Sequence, residues 1–251
     1  MTYTISVDTG GTFTDVIVAD SQGLMTIGKA LTTRDRIFLG MREAIHAAAE
    51  QLHISFAELL SQTTLLIYGT TRATNAIVTK NVAKTAFVTT QGFADTLLFK
   101  EGGKFNPHDF TQDYPDPYIA RRSTFEIEER MSSEGQVSTP FNGAQAKAVA
   151  ETIRDGGFEA VAVSFIWSIA NPDHELRFAR LLDEVLPNIP YTLSHQLIPI
   201  VREYRRASAT AIDASLKPLM QLHLKGLEKD LREAGFHGEL LVSTAAGGCS
   251  N

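Results

Sequence analysis

The chain has 251 residues, 43% of them hydrophobic, which suffices for one large domain or one and a half ordinary ones. Its 23 basic and 29 acidic residues give a formal net charge of −6, which argues against a nucleic-acid or anionic-membrane surface but leaves room for a nucleotide in a local cradle. The single cysteine, Cys249, excludes an internal disulfide framework. With no signal-peptide pattern and no long apolar run, we expect a cytoplasmic protein that binds neither membrane nor nucleic acid.

The N-terminal third of the chain predicts three short strands followed by a helix. Polar and apolar residues alternate over residues 3–7, and further strands are predicted at 16–18 and 24–30. Tight turns join these strands, so they predict an antiparallel meander. Apolar residues then recur at helical spacing over residues 37–52, which predicts an amphipathic helix.

Strands and helices alternate over the rest of the chain. The predicted strands lie at 65–68, 85–90, 124–127, 158–166, 191–193 and 240–246, and the predicted helices at 71–79, 92–99, 144–154, 173–186 and 202–233. Residues 100–140 predict an extended insertion, and Pro218 predicts a break or kink in the last helix because it lacks a backbone N–H. The chain closes on a strand and a Gly247-Gly248 turn, so we expect the domain to continue beyond Asn251. Together these elements predict an α/β fold with a mixed sheet and an N-terminal β-meander.

The most informative segment is the glycine turn of residues 8–15, with the sequence DTGGTFTD. Gly10 and Gly11 are expected to take positive φ, so that successive N–H groups converge on an anion. Hydroxyl donors come from Thr9, Thr12 and Thr14. A carboxylate at Asp8 would repel phosphate unless a cation lay between them, so the segment predicts Mg²⁺, held partly through water. Asp15 could serve the same ion or merely close the hairpin, and the alternative for the whole segment is a turn that needs glycine only for its shape.

A second polar cluster, residues 68–75, lies where a predicted strand ends and a helix begins. Helix N-termini offer unpaired N–H groups and a positive dipole end. Thr70 and Thr71 could therefore contact a phosphate or a substrate, and Asn75 could orient them. The alternative is a helix N-cap with no further role.

These two motifs, in this order and spacing, resemble the hydantoinase A/5-oxoprolinase family, whose members carry D-x-G-G-T-x-T-D near the N-terminus and G-T-T-x-A-T-N-A further along. The matching positions are Asp8, Gly10, Gly11, Thr12, Thr14 and Asp15 in the first motif, and Gly69, Thr70, Thr71, Ala73, Thr74, Asn75 and Ala76 in the second. The resemblance continues through residues 89–93, 170–172, 194–195, 202–204 and 217–218, and so covers nearly the whole chain.

The resemblance implies an actin-like ATPase fold of the sugar-kinase and Hsp70 type, which holds ATP and Mg²⁺ between two halves. It implies that residues 1–185 form the N-terminal domain and that residues 186–251 begin the following hydantoinase A domain. The second phosphate turn and the adenosine site are expected beyond Asn251, so this chain alone should bind nucleotide weakly. The implied catalytic residues are Asp8, also the metal ligand, and Asp15; the implied cofactor-binding residues are Thr9, Gly10, Gly11, Thr12, Thr14, Thr70, Thr71 and Asn75.

The activity implied by the resemblance is ATP-dependent hydrolysis of a cyclic amide, such as a hydantoin or 5-oxoproline, through a phosphorylated carbonyl. The implied assembly is an oligomer with a hydantoinase B-type partner subunit. Two alternatives remain: a subunit of an ATP-dependent ketone carboxylase of the acetone or acetophenone type, and a non-catalytic actin-like partner subunit. The chain departs from the family at Tyr68, where members often carry histidine, and a phenol cannot replace an imidazole as an acid or base near neutral pH.

Several other segments offer weaker candidates. Residues 23–29 have P-loop spacing, but Ala30 stands where Ser or Thr would bind Mg²⁺. His46 and His53 lie on one predicted helix and favour a solvated face, whereas His195 is a candidate to contact substrate. A possible metal-binding group, for which an acidic loop is the alternative, comprises His108, Asp109, Asp113 and Asp116. Cys249 is interpreted as a turn residue.

Overall fold

The structure, a computed structural model, describes residues 2–33, 36–104, 106, 108–244 and 248–250. The chain forms two compact units. Unit 1 comprises Met1–Thr79 and Gln221–Asn251, and unit 2 comprises Lys80–Met220. The division predicted after residue 185 concerns family segments rather than compact units, and it stays a prediction.

Strands and helices alternate along most of the chain. The strands are β1 (Tyr3–Thr9), β2 (Phe13–Asp20), β3 (Met25–Leu31), β4 (Thr63–Thr70), β5 (Thr85–Thr90), β6 (Thr124–Ile127), β7 (Arg130–Met131), β8 (Val137–Thr139), β9 (Ala160–Ser164), β10 (Tyr191–Leu193), β11 (Glu239–Ser243) and β12 (Cys249–Ser250). The helices are α1 (Ile37–Gln51), α2 (Phe56–Gln62), α3 (Arg72–Val78), α4 (Thr96–Phe99), α5 (Gly143–Asp155), α6 (Asp173–Val185), α7 (Ser194–Leu197) and α8 (Glu203–Glu233). In the described ranges, no helix combines the length and apolar character that crossing a membrane requires.

Unit 1 is built on a six-stranded sheet in the order β12-β11-β4-β1-β2-β3. The first three strands form an antiparallel meander, while β4 runs parallel to both β1 and β11, so the predicted meander and mixed sheet are confirmed. Alternate residues of β1 are buried beneath α1 and the last turns of α8, in a core that includes Ile5, Val7, Leu66, Met41, Ile45 and Leu231. Helix α1 lies so close to β3 that a Cβ on Gly28 would come within 1.9 Å of the Ala44 carbonyl oxygen.

Unit 2 is built on a four-stranded sheet in the order β10-β9-β5-β6, and all its strands are parallel. Helices α5 and α6 cover one face of the sheet, and α4 with the first part of α8 covers the other. Every residue of β9 is buried, as its continuous apolar run predicts for a strand covered on both faces. Small side chains at Ala207, Ala211 and Ala214 let α8 pack closely on this sheet.

The structure differs from the predicted elements at several places. Helix α2 was missed although Ser55 caps it by accepting the Glu58 N–H at 3.1 Å, a recognisable capping pattern. The β7–β8 hairpin was also missed, and the helix predicted over 92–99 is shortened to α4 because Gly92 takes φ of +89°. Strand β11 ends at Ser243; residues 245–247 of the predicted strand and turn lie outside the described residues. Cys249 belongs to β12, so its interpretation as a turn residue is wrong.

Helix α8 runs from Glu203 to Glu233 without interruption, so no break occurs at Pro218, and the alternative of a kink stays a prediction. Proline removes one donor from the helix ladder and crowds the carbonyl four residues earlier. A neighbouring carbonyl, that of Ser215, accepts the Ala83 N–H at 3.0 Å, so hydrogen bonding from outside the helix supports the backbone near the proline.

The close approach of α1 to β3 yields a stability prediction. Gly28→Ala should lower the free energy of unfolding by about 2–3 kcal/mol, because its Cβ would meet backbone atoms that cannot rotate away. Gly226→Ala is the matched control, since nothing lies within 4 Å of a Cβ at that exposed helical position, and it should raise stability by about 0.5–1 kcal/mol. Urea unfolding of both variants measures the difference, and equal effects would contradict this packing.

Candidate functional site

The predicted site residue Asp8 lies in a row of polar residues across the exposed face of the unit 1 sheet. Asp8 stands directly opposite Asp15 on β2, and Asp15 stands opposite Lys29 on β3. Lys29 Nζ lies 2.7 Å from Asp15 Oδ1, so the charge of Asp15 is matched. Asp8 is exposed and has no hydrogen bond or ion pair with any described residue. Two carboxylates directly opposite each other repel, so this face of the sheet favours a bound cation at Asp8.

The other side of Asp8 is kept open by a glycine on β4. Asp8 pairs with Gly69 in the parallel register. A Cβ on Gly69 would lie 3.1 Å from the Ser243 hydroxyl and 3.6 Å from Asp8 Oδ1. Ser243, the last residue of β11, therefore reaches the same row, which sequence reasoning missed. The available signal was the strand predicted there, whose carboxyl end meets the same sheet edge when it runs parallel to β4.

The glycine turn is braced by a threonine from outside the motif. The Gly10 N–H donates to the Phe13 carbonyl at 3.0 Å, and Thr32 donates its hydroxyl to the Gly10 carbonyl and its N–H to the Thr12 carbonyl. In the described part of the chain, the N–H groups of Gly11 and Thr12 donate to no protein acceptor. These two exposed amides are therefore available to an anion, whereas that of Gly10 is already used.

The expectation that Gly10 and Gly11 take positive φ is wrong, since neither lies in the left-handed region. Glycine serves here because it leaves the backbone uncovered. A Cβ on Gly10 would come within 3.3 Å of the Phe13 carbonyl oxygen, and one on Gly11 would project into open space, where a ligand could approach.

Strand alternation turns the side chains of Thr9 and Thr14 away from Asp8 and towards the buried face. Thr14 is fully buried and its hydroxyl lies 2.9 Å from that of Thr32, so the structure corrects the view of Thr14 as a hydroxyl donor to the ligand. Thr9 is 3% exposed, and its hydroxyl lies on the same buried face, near the hydroxyl of Tyr68. It therefore does not face the exposed amides of the turn.

The second motif lies at the same sheet edge, because Thr70 is the register partner of Thr9. Thr70 accepts the Arg72 N–H at 3.2 Å, and the Thr71 hydroxyl receives the Asn75 amide at 3.4 Å rather than capping the helix. Helix α3 has only seven residues, so its dipole adds little. The structure brings the two motifs together, and the contact of Thr70, Thr71 and Asn75 with a ligand stays a prediction.

Beneath this edge, the departure from the family at Tyr68 is explained by a partner that sequence reasoning missed. The buried Tyr68 hydroxyl lies 2.9 Å from His223 Nε2. Burial lowers the pKa of His223 to about 4, helped by the nearby positive charge of Arg72. Burial also raises the pKa of Tyr68 above its ordinary value, although the nearby Thr70 and Thr9 hydroxyls oppose this. At neutral pH the phenol therefore donates to an uncharged imidazole.

The histidines and the acidic segment that the sequence offered as weaker candidates lie in different surroundings. His46 lies on the exposed face of α1 near Glu50, but His53 follows the helix end with φ of +56°, so the expectation that both lie on one helix is wrong. Within the described ranges, no group of three metal-ligating side chains converges, so the acidic-loop interpretation of residues 108–116 is preferred. His195 is held by the buried carboxylate of Glu175 in unit 2.

Comparison with known proteins gives a consistent result. The family described as the hydantoinase/oxoprolinase N-terminal region matches residues 4–186. The caprolactamase subunit alpha of Pseudomonas jessenii is 33% identical over 93% of this chain and 34% of its own length. The acetophenone carboxylase gamma subunit of Aromatoleum aromaticum is 28% identical over 98% of this chain and 35% of its own length. The chain thus spans about a third of the length of these curated relatives.

Two solved structures share the fold. The crystal structure of ATP-dependent caprolactamase from Pseudomonas jessenii superimposes with a TM-score of 0.89 at 32% identity, over 99% of this chain and 36% of that one. Nucleotide-free acetone carboxylase superimposes with a TM-score of 0.85 over 99% of this chain and 37% of that one, and at 22% identity it bears on the fold alone. With the mixed sheet, these likenesses confirm the predicted α/β fold of the actin-like type.

The Tyr68–His223 pair predicts a pH-dependent stability. Between pH 6.5 and about 4, the unfolded chain protonates His223 while the folded chain keeps it neutral, so the unfolded state binds more protons and stability falls as the pH falls. The loss should reach about 2 kcal/mol, after discounting for partial exposure of the ring.

His223→Gln should flatten this dependence in urea unfolding measured at pH 4.5, 5.5 and 7.5. His237→Gln, which changes an exposed histidine, should leave the wild-type slope intact. An equally steep slope in His223→Gln would show that another group causes the acid sensitivity.

Proposed function

Because the chain belongs to the hydantoinase/oxoprolinase N-terminal region family, we propose that it carries a phosphate-binding turn of an enzyme that spends ATP to activate the carbonyl group of a cyclic amide. The observation that carries this proposal is an unpaired carboxylate, Asp8, beside the free amides of Gly11 and Thr12. The carboxylate would repel a phosphate that carries no metal ion, and the two N–H donors would repel a bare metal ion. Together these groups suit a phosphate with a metal ion bound to it.

The residues of the turn divide the work of binding. The N–H groups of Gly11 and Thr12 would donate to phosphate oxygens, whereas the Thr9 side chain lies on the buried face and contributes no hydroxyl. Asp8 would hold Mg²⁺ partly through water, and the ion would neutralise phosphate charge during transfer. Asp15 is ion-paired with Lys29, so we propose that Asp15 positions the ammonium group of Lys29 and does not bind the metal directly.

The reaction proposed for the complete enzyme is phosphoryl transfer followed by hydrolysis. The amide carbonyl oxygen forms a bond to the γ-phosphorus as the bond to ADP breaks. The phosphorylated carbon is a better electrophile than the amide, so water can attack it and open the ring. Gly11 and Thr12 contribute by keeping the phosphate in line and by stabilising its charge.

A ketone carboxylase is the second candidate, because the acetophenone carboxylase subunit aligns with 98% of this chain. Both reactions would begin with phosphorylation of a carbonyl or enol oxygen, so the same phosphate-binding turn would serve either reaction. We favour the cyclic amide because the caprolactamase subunit is more similar, at 33% against 28% identity. A non-catalytic actin-like subunit is the third candidate.

Three further proposals concern the complete protein. Both relatives are named as subunits, so we propose that this protein works in an oligomer with a partner of the hydantoinase B type. We propose that residues 186–251 begin a second family segment. We also propose that the protein acts in the cytoplasm, where ATP is available.

The role of Asp8 is tested by Asp8→Asn in the complete enzyme, with Asp15→Asn as the matched control from the same row. Asp8→Asn should remove the Mg²⁺-dependent part of ATP affinity, a loss of about tenfold or more, and abolish amide-dependent ATP cleavage. Asp15→Asn should keep the Mg²⁺ dependence. Calorimetric titration with and without Mg²⁺ measures both.

Thermal unfolding shows whether the Asp8 variant folds, and its midpoint should stay or rise because a repulsion across the strands is removed. Retained Mg²⁺-dependent binding in Asp8→Asn would refute the assignment. Phosphate release with cyclic amides, compared with ketones plus bicarbonate, separates the hydrolase from the carboxylase.

A further inference from the structure

An open cavity in unit 2 lies beside the carboxyl end of β5, and the proposed phosphate turn does not use it. Its volume is about 450 Å³, which is in the range of pockets that bind small molecules. Every described residue that lines it belongs to unit 2. The neighbouring strands β5 and β9 are followed by helices on opposite faces of the sheet, α4 and α6. Open α/β sheets bind ligands outside the carboxyl ends of such strands.

Two segments that lie far apart in the sequence form the walls of this cavity. The first, within residues 92–101, contains the loop after β5, helix α4 and the turn that ends this helix. The second, residues 202–204, begins helix α8. Two of the segments through which the family resemblance continues, 89–93 and 202–204, therefore contribute to the same cavity. The phosphate turn accounts for neither segment.

Both walls are fixed by contacts within unit 2. On the first, the Lys100 N–H donates to the Thr96 carbonyl at 3.1 Å, and Lys100 takes φ of +56°, which residues other than glycine rarely adopt. Such strained residues occur at ligand sites, where the surrounding structure holds them. On the second, the buried guanidinium of Arg206 donates to the Phe165 carbonyl at 3.2 Å and so ties the start of α8 to the loop after β9. A preformed cavity lowers the entropic cost of binding.

The charged side chains of the cavity leave two cations incompletely paired. Nε and Nη2 of Arg205 each lie 3.0 Å from the Glu101 carboxylate, which is therefore already held. Arg202 reaches the same carboxylate only at 3.4 Å, and its side chain is 68% exposed. Lys100 Nζ has no hydrogen bond or ion pair with any described residue. Three cationic side chains thus accompany one carboxylate, and two of the three can bind an additional anion.

The remaining carboxylates of the cavity do not cancel these cations. Asp95 lies 3.1 Å from Arg121 Nε, so its charge is matched. Glu203 lies in the first turn of α8, where the unpaired N–H groups of the helix stabilise negative charge. Neither carboxylate forms an ion pair with Lys100 or Arg202 within the described ranges. This part of the cavity therefore suits an anionic group.

Aromatic side chains give the cavity an apolar wall beside the cations. Phe93, Phe99 and Tyr204 all line it. Phe99 is 48% exposed although its ring packs edge-to-face on Tyr114 at 5.2 Å, so part of its apolar surface remains open to a ligand. A hydrocarbon group that covered this surface would be stabilised by leaving water.

We propose that this cavity binds a small organic acid, whose carboxylate contacts Arg202 and Lys100 and whose hydrocarbon part packs against Phe93 and Phe99. A planar guanidinium matches the two oxygens of a carboxylate, and the ammonium group adds positive charge. This binding site is independent of the proposed function, because it requires neither ATP nor Mg²⁺ and contains no residue of the phosphate turn.

Nuclear magnetic resonance of the 251-residue chain tests the site, with hexanoate as the probe and hexanamide as its neutral counterpart. Hexanoate should bind with a Kd of about 1 mM or lower. It should shift the amide resonances of residues 92–104 and 202–206. Hexanamide, which lacks the charge, and acetate, which lacks most of the hydrocarbon, should each bind about tenfold more weakly. High salt should weaken the binding of hexanoate.

Two kinds of variant separate the carboxylate contact from the apolar contact. Arg202→Gln keeps a polar side chain but removes the charge, so it should weaken hexanoate binding about tenfold and leave hexanamide binding unchanged. Lys100→Gln repeats this test from the other wall. Phe99→Ala should weaken the binding of both probes by a similar factor of about three to ten. Arg180→Gln, at an exposed arginine of α6, is the matched control and should change neither.

Several results would refute the proposal. They are the absence of binding at about 20 mM hexanoate, equal affinity for hexanamide, shifts that lie away from the two walls, and unchanged hexanoate affinity in both Arg202→Gln and Lys100→Gln. Wild-type resonances for the rest of the chain show that each variant is folded. Asp8→Asn should leave hexanoate binding at the wild-type value, so failure of the phosphate turn and failure of this site are separate results.

Discussion

The unmatched negative charge of Asp8 is the constraint on which the account of this protein depends. The antiparallel register of β1 and β2 places it opposite a second carboxylate, and Lys29 is bonded to that second carboxylate. The parallel register of β1 and β4 places Gly69 on its other side, which leaves room and supplies no counter-charge. An unmatched carboxylate in this position makes the fold less stable than a neutralised one would be. Residues that lower stability in this way usually have a function.

Much of the fold can be predicted from the local pattern of polar and apolar residues. Which residues meet at the site depends instead on the register between strands that lie far apart in the sequence. Alternation predicts the meander, and the continuous apolar run predicts the buried strand β9. Ser243 and His223 lie far along the chain from the motifs they join, and no local pattern predicts that pairing. The backbone of Gly10 and Gly11 could not be predicted either, because glycine serves both positive φ and close approach. The partner of Tyr68, His223, could not be predicted, because the pairing becomes visible only in three dimensions.

Both units place their polar residues at the carboxyl edge of parallel strands, but they treat charge differently. Unit 1 leaves one carboxylate and two amides exposed to a ligand. Unit 2 pairs the buried carboxylates of Glu129 and Glu175 with imidazoles, and Nε2 of His195 has no partner among the described residues. The first arrangement suits a charged phosphate and its metal. Relatives named as a caprolactamase subunit and as an acetophenone carboxylase subunit align with both units.

The most direct measurement is a crystal structure with Mn²⁺ and a non-hydrolysable ATP analogue, in which anomalous scattering locates the metal. We expect the metal at Asp8, either bonded at roughly 2.1 Å or bridged by one water, with phosphate oxygens about 3 Å from the Gly11 and Thr12 nitrogens. We also expect the Asp15–Lys29 ion pair to remain closed. A metal held elsewhere, or a nucleotide whose phosphates avoid these two amides, would contradict this proposal.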